Sequence, residues 1–129
     1  MKRLVAVAFI ALFQFFAVSL FAQGIDGVVN GIKKGDANLI TSNAGQSFSL
    51  TIMDKSNNYA KAEAQAAIKN FFAQNAVKGF DVKHKGNSPN GQYAIGTLAT
   101  ASGNFRVNIF MKKEGGKEVI KELRFQLIE

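Results

Sequence analysis

Near residue 79 the spacing of apolar side chains changes from the 3.6-residue period of a helix to the two-residue period of a strand. Upstream, Ile25, Val28, Val29 and Ile32 form one helical stripe, and Ala64, Ala67, Ile68, Phe71 and Phe72 form another. Downstream, Phe80 and Val82, then Phe105, Val107, Ile109 and Met111, alternate with polar neighbours. A chain that separates the two periods in this way segregates its helices from its sheet. The expectation is an α+β fold with N-terminal helices on one face of a mostly antiparallel sheet.

Local signals refine the order. Asp26 and the pair Lys33-Lys34 flank the first helix with the charges its dipole favours, and Gly35 stops it. Asp36 caps a short second helix bearing Leu39 and Ile40, which ends near Asn43-Ala44-Gly45. Phe48, Leu50 and Ile52 make a strand, closed by a turn over Asp54 to Asn58. The third helix covers residues 60–76. Four strands follow as a meander, with a loop at Gly86–Gly91, a turn at Ser102-Gly103 and a hairpin at Gly115-Gly116. The last strand is expected to group Val119, Leu123, Phe125 and Leu127.

The first residues bear on location. Met1-Lys2-Arg3 precedes an uncharged run from Leu4 to Ala22, and polar sequence begins at Gln23. This is the layout of a secretory signal peptide, 1–22, followed by one domain, 23–129. An uncleaved anchor is the alternative, since the run approaches the roughly 20 residues that cross a bilayer. Gln14, Ser19 and the lack of basic residues after the run favour cleavage. The expected mature protein is exported, periplasmic or secreted, with no membrane span. Losing Lys2 and Arg3 lowers the basic count from 16 to 14 against nine carboxylates. The remaining lysines are scattered, so a solvated surface is expected and nucleic acid is not an expected partner. The chain has no Cys, which removes disulfides, thiol chemistry and a lipid-anchoring cysteine. Stability then rests on an apolar core.

Several segments resemble a family of short exported Bacteroidota proteins, of the domain of unknown function 4783 type. They are Ala66-Ala67-Ile68-Lys69-Asn70-Phe71-Phe72, Val82-Lys83-His84-Lys85-Gly86, Tyr93-Ala94-Ile95-Gly96-Thr97-Leu98 and Gly103-Asn104-Phe105-Arg106-Val107. The likeness spans about residues 24–129. It implies a nuclear transport factor 2-like (cystatin-like) cone, a curved sheet wrapped around helices. It implies no activity, because the family has none to transfer and the broader fold hosts isomerases, dehydratases and binding modules alike.

In a regular strand His84 would continue the face of Phe80 and Val82 and look into the cone, with Tyr59 and Tyr93 as companions in a ligand pocket. A histidine at a frayed strand end, bonded to water, is the plainer reading. Isomerase chemistry of the ketosteroid type wants a carboxylate and a tyrosine together in an apolar cavity, and the carboxylates here fall mostly in turns or on polar strand faces. Glu122 and Arg124 read as a same-face ion pair. One His and no Cys give no support for a metal or another cofactor. Apolar residues on both sides of the last strands leave a second face, with Arg106, Phe110, Ile120 and Ile128, available as an interface. The function expected from these features is association without catalysis: a homodimer, or capture of an apolar small ligand or envelope component. A small isomerase or hydrolase using a pocket His84 is the alternative.

Overall fold

Gly24 opens the part of the chain that the computed structural model describes, residues 24–128; the segment read as a signal peptide lies outside these residues. Helix α1 (Ile25–Lys34) follows, its Val28 and Ile32 fully buried, and ends at Gly35 in a left-handed conformation (φ 63°). Helix α2 (Ala37–Thr41) begins at Asp36, whose Oδ1 accepts from the Leu39 N–H at 3.1 Å. That bond caps a very short helix, so Asp36→Ala is expected to lower stability by ~1 kcal/mol while Asp36→Asn changes little, as read from urea unfolding midpoints. After strand β1 (Ser47–Ile52) the chain reverses over Met53-Asp54 into strand β2 (Lys55–Ala60). Met53 takes a positive φ of 58° in that reversal.

Of the segment expected as a turn over residues 54–58, only Asp54 lies in the turn, and Lys55 to Asn58 belong to a strand. Ser56, Asn57 and Asn58 are poor strand formers, but pairing with Thr51, Leu50 and Ser49 holds them at the sheet edge. Helix α3 (Lys61–Gln74) follows directly. Ala60 has no side chain to cap it, and the Glu63 carboxylate instead reaches back to accept from the Ala60 N–H at 3.2 Å. Strands β3 (Val77–Ser88), β4 (Gly91–Thr100), β5 (Gly103–Glu114) and β6 (Lys117–Leu127) form the expected meander. The loop expected over 86–91 shrinks to Pro89-Asn90. Gly115 and Gly116 make the last hairpin, both at positive φ.

The six strands lie in the order β2-β1-β6-β5-β4-β3. Every neighbouring pair is antiparallel except β1 with β6, which run parallel. The helices cover one face, called inner below. There Phe71 and Phe72 of α3 meet Phe105 and Phe125 of the sheet, with ring centroids 4.8–6.1 Å apart. Leu98, Ile109 and Leu123 beside them are fully buried. Interlocking aromatic and aliphatic side chains thus occupy the concave side. Among the described residues no helix is long and apolar enough to cross a membrane.

Candidate functional site

Besides an irregularity at Lys78, two extra residues in the strands decide which of the candidate side chains face away from the helices. In β3, Val82 pairs with Gly96 but His84 pairs with Ile95, so Lys83 is a β-bulge. Past the bulge the alternation is reversed. His84 stands on the outer face, exposed, beside Ile95. Lys85 turns to the helix side, where its ammonium meets Asp26 of α1 at 2.6 Å. The expectation of His84 inside the cone is corrected accordingly.

The second extra residue is in β6. Met111 pairs with Ile120 and Phe110 with Glu122, leaving Lys121 unmatched. Ile120 is consequently turned into the core and fully buried. It is not part of an exposed face, and the grouping expected for the last strand changes, with Ile120 taking the place of Val119.

Neither tyrosine joins His84 in a cavity. Tyr59 pairs with the inward Phe48 at the β2 edge and packs against the core. Tyr93 lies on the outer face but is engaged between its cross-strand partner Gly86, over which its hydroxyl rests, and Phe110, 6.4 Å away between centroids. Glu122 and Arg124 form the expected ion pair, Nε to Oε2 3.1 Å.

The outer face is where exposed chemistry collects. One row crosses all six strands: His84, Ile95, Asn108, Arg124, Thr51 and Ser56. At its centre Asn108 Oδ1 and Arg124 Nε are buried without a hydrogen-bond partner. Arg124 Nε is close enough to Glu122 for charge attraction but makes no hydrogen bond to it. An orphaned buried polar atom costs ~1–3 kcal/mol. Two depressions flank Arg106. One, of about 500 Å³, is lined by Met53, Asp54, Gln126, Leu127 and Ile128. The other, of about 430 Å³, shares Arg106 and Ile128 and adds Lys83, His84, Ile95, Gly96, Thr97 and Asn108.

Arg106 and Ile128 line both depressions, while Phe110 lies farther along β5 on the same face, opposite Tyr93 and Glu122. Met53 was missed, because it belongs to a reversal hidden in an apparent loop. Among the described residues no group of three His, Asp or Glu side chains is placed to hold a metal ion.

A family model described as a domain of unknown function (DUF4783) matches residues 25–126. A crystal structure of a DUF4783 family protein from Bacteroides ovatus is similar at 38% identity, covering 80% of this chain and 94% of the other with a TM-score of 0.76. Another from Bacteroides uniformis is 34% identical, covering 81% and 96%, TM-score 0.78. At 13% identity, an NTF-2 like protein of unknown function from Burkholderia xenovorans covers 81% of each chain with a TM-score of 0.61. That likeness shows the fold, an α+β nuclear transport factor 2-like arrangement. No protein of curated description matches.

Proposed function

Because the chain belongs to the DUF4783 family, whose fold leaves the choice of function to the site, we propose that it is an exported, non-enzymatic association module. It works through the outer face of its sheet, by pairing with a second copy or by holding a small apolar ligand. One observation carries the reading. Two of the most exposed large hydrophobic side chains among the described residues, Met53 and Ile128, are 47% and 41% accessible and line the same depression beside Arg106, whereas exposed Leu127 pairs with inward Phe105 and belongs to the other face. Scattered exposure of this kind would mean little, but clustering on one surface marks a contact site. Half-buried Tyr93, Ile95 and Phe110 extend the surface across β4 and β5.

The alternative, isomerase or hydrolase chemistry through a pocket histidine, lacks support in this arrangement. His84 is exposed on the outer face and Tyr59 lies on the inner one, so the two share no cavity in which acid and base could act together.

Light scattering of residues 23–129 at micromolar concentration, with and without a fluorescent apolar probe, tests the proposal. Either a dimer or a probe-binding monomer is expected. Ile128→Asp is expected to weaken whichever association is seen by ~10-fold or more, since it puts a charge where apolar surface is covered. A strict monomer that takes up no apolar probe would remove the proposal.

A further inference from the structure

The sheet ends in two edges, β2 and β3, and they are unlike. β3 is irregular at Lys78 and bulged at Lys83, and its Lys85 is tied to Asp26 of α1 at 2.6 Å. Bulges and lysines of this kind keep an edge from pairing with a further chain. β2 carries only Lys55, at its first position, and pairs with β1 in unbroken register. Its ladder shows which backbone groups are spare. The N–H of Lys61 donates to the Gln46 carbonyl at 2.9 Å, and bonded pairs alternate along an antiparallel ladder. Tyr59, Asn57 and Lys55 therefore bond to β1, while Ser56, Asn58 and Ala60 turn their N–H and C=O outward. The Ala60 N–H is taken by Glu63. Ser56 and Asn58 keep theirs at an exposed edge, and Lys55 and Asn57, on the inner side, are exposed as well, so no helix overlies this end of the strand.

We propose that the β2 edge pairs antiparallel with the β2 edge of a second copy of this chain, with Asn57 on the two-fold axis. In this register Ser56 exchanges both backbone hydrogen bonds with Asn58 of the second copy, and Asn58 does so with the other Ser56, which uses every spare group. Moving the axis to Ser56 would set Asn58 against Asp54 in the turn. Moving it to Asn58 would set Ser56 against Ala60, whose N–H is occupied. Charge agrees with the chosen register: Lys55, the one charged residue of β2, falls opposite the neutral Tyr59 and not opposite itself. A second copy also suits the edge better than an unrelated peptide. Ser56, Asn57 and Asn58 are small and polar and form no apolar pocket that could select alternate side chains of an added strand. The contact closes at two copies, because the β3 edge is blunted. It lies away from the outer face and goes beyond the association proposed above.

Single cysteines test the pairing, since the chain has none of its own. Asn57 meets its own counterpart at a non-bonded position, where Cα atoms approach to ~4.5 Å, within disulfide reach. The two Lys55 residues are ~13 Å apart along the strand, beyond it. Under mild oxidation the Asn57→Cys variant of the 23–129 protein is expected to form a covalent dimer at least ~10-fold faster than Lys55→Cys. Adding Asn58→Pro removes an outward N–H without touching the β1 ladder and should bring trapping down to the Lys55→Cys rate, with the thermal melt showing that the fold is kept. Should the proline variant unfold, the contrast between the two cysteines still decides. Equal trapping at positions 57 and 55 would overturn the edge pairing. So would loss of Asn57→Cys trapping on adding Ile128→Asp, which would assign the contact to the outer face. Trapping that persists with Ile128→Asp supports the edge pairing, whether or not the outer face associates.

Discussion

Phe71→Ala is expected to lower the unfolding free energy by ~3–5 kcal/mol, a large share of the ~5–15 kcal/mol that holds a domain of this size. Phe71 touches three other rings at once: Phe72 at 5.6 Å, Phe105 edge-on at 5.0 Å and Phe125 at 4.8 Å between centroids. It is the point where α3 meets the middle of the sheet. Truncation loses its own transfer free energy and also leaves a void lined by rigid rings that cannot collapse into it. Urea unfolding followed by circular dichroism measures the loss. Phe71→Leu, which keeps most of the volume, should cost clearly less. If the alanine variant lost under ~1 kcal/mol, the helix would not be packed on β5 and β6 as described.

Gly96→Ala is the second large effect, and its cause is the opposite one. A Cβ there would lie 2.5 Å from the carbonyl oxygen of Asp81 and 2.7 Å from Phe80 Cε1. The oxygen belongs to the backbone of β3, held in its ladder just before the Lys83 bulge. It cannot step aside without opening that pairing. Overpacking of this kind costs ~1–3 kcal/mol, and the upper end is expected because backbone must move. Gly79→Ala is the control, since its Cβ meets nothing within 4 Å and the substitution removes unfolded-state freedom. It should be neutral or slightly stabilising. Thermal melts of the two variants should therefore separate by several degrees. Equal melts would mean that β3 and β4 do not approach so closely at Gly96.

Much of the fold was readable because burial writes itself into periodicity. The stripe Ile25, Val28, Val29, Ile32 and the face Ala64, Ile68, Phe71, Phe72 are core-facing in the structure as the spacing required. So are Phe105, Val107, Ile109 and Met111. Strand β2 was not readable, because Lys55-Ser56-Asn57-Asn58 buries almost nothing and is a strand only through its partner. The bulges at Lys83 and Lys121 were unreadable for another reason. A single inserted residue leaves no compositional mark, yet it reverses every side chain after it. That is how His84 and Ile120 changed faces. Arg106 and Phe110 keep the strand alternation expected of them because no bulge stands between Phe105 and Phe110. The company of Met53 depends on β1 lying beside β6, a contact across more than 70 residues that no local pattern can signal.

The parallel β1–β6 pair has a consequence for the order of assembly. The hairpin of β1 and β2 has only one sheet neighbour, and it pairs through Glu122 to Phe125. Until those residues arrive, one edge of β1 has no strand to pair with. Closing so long a loop delays the rewarding contacts and slows folding relative to a chain of mostly local contacts. The sheet should therefore reach its full width only when the final strand takes its place beside β1.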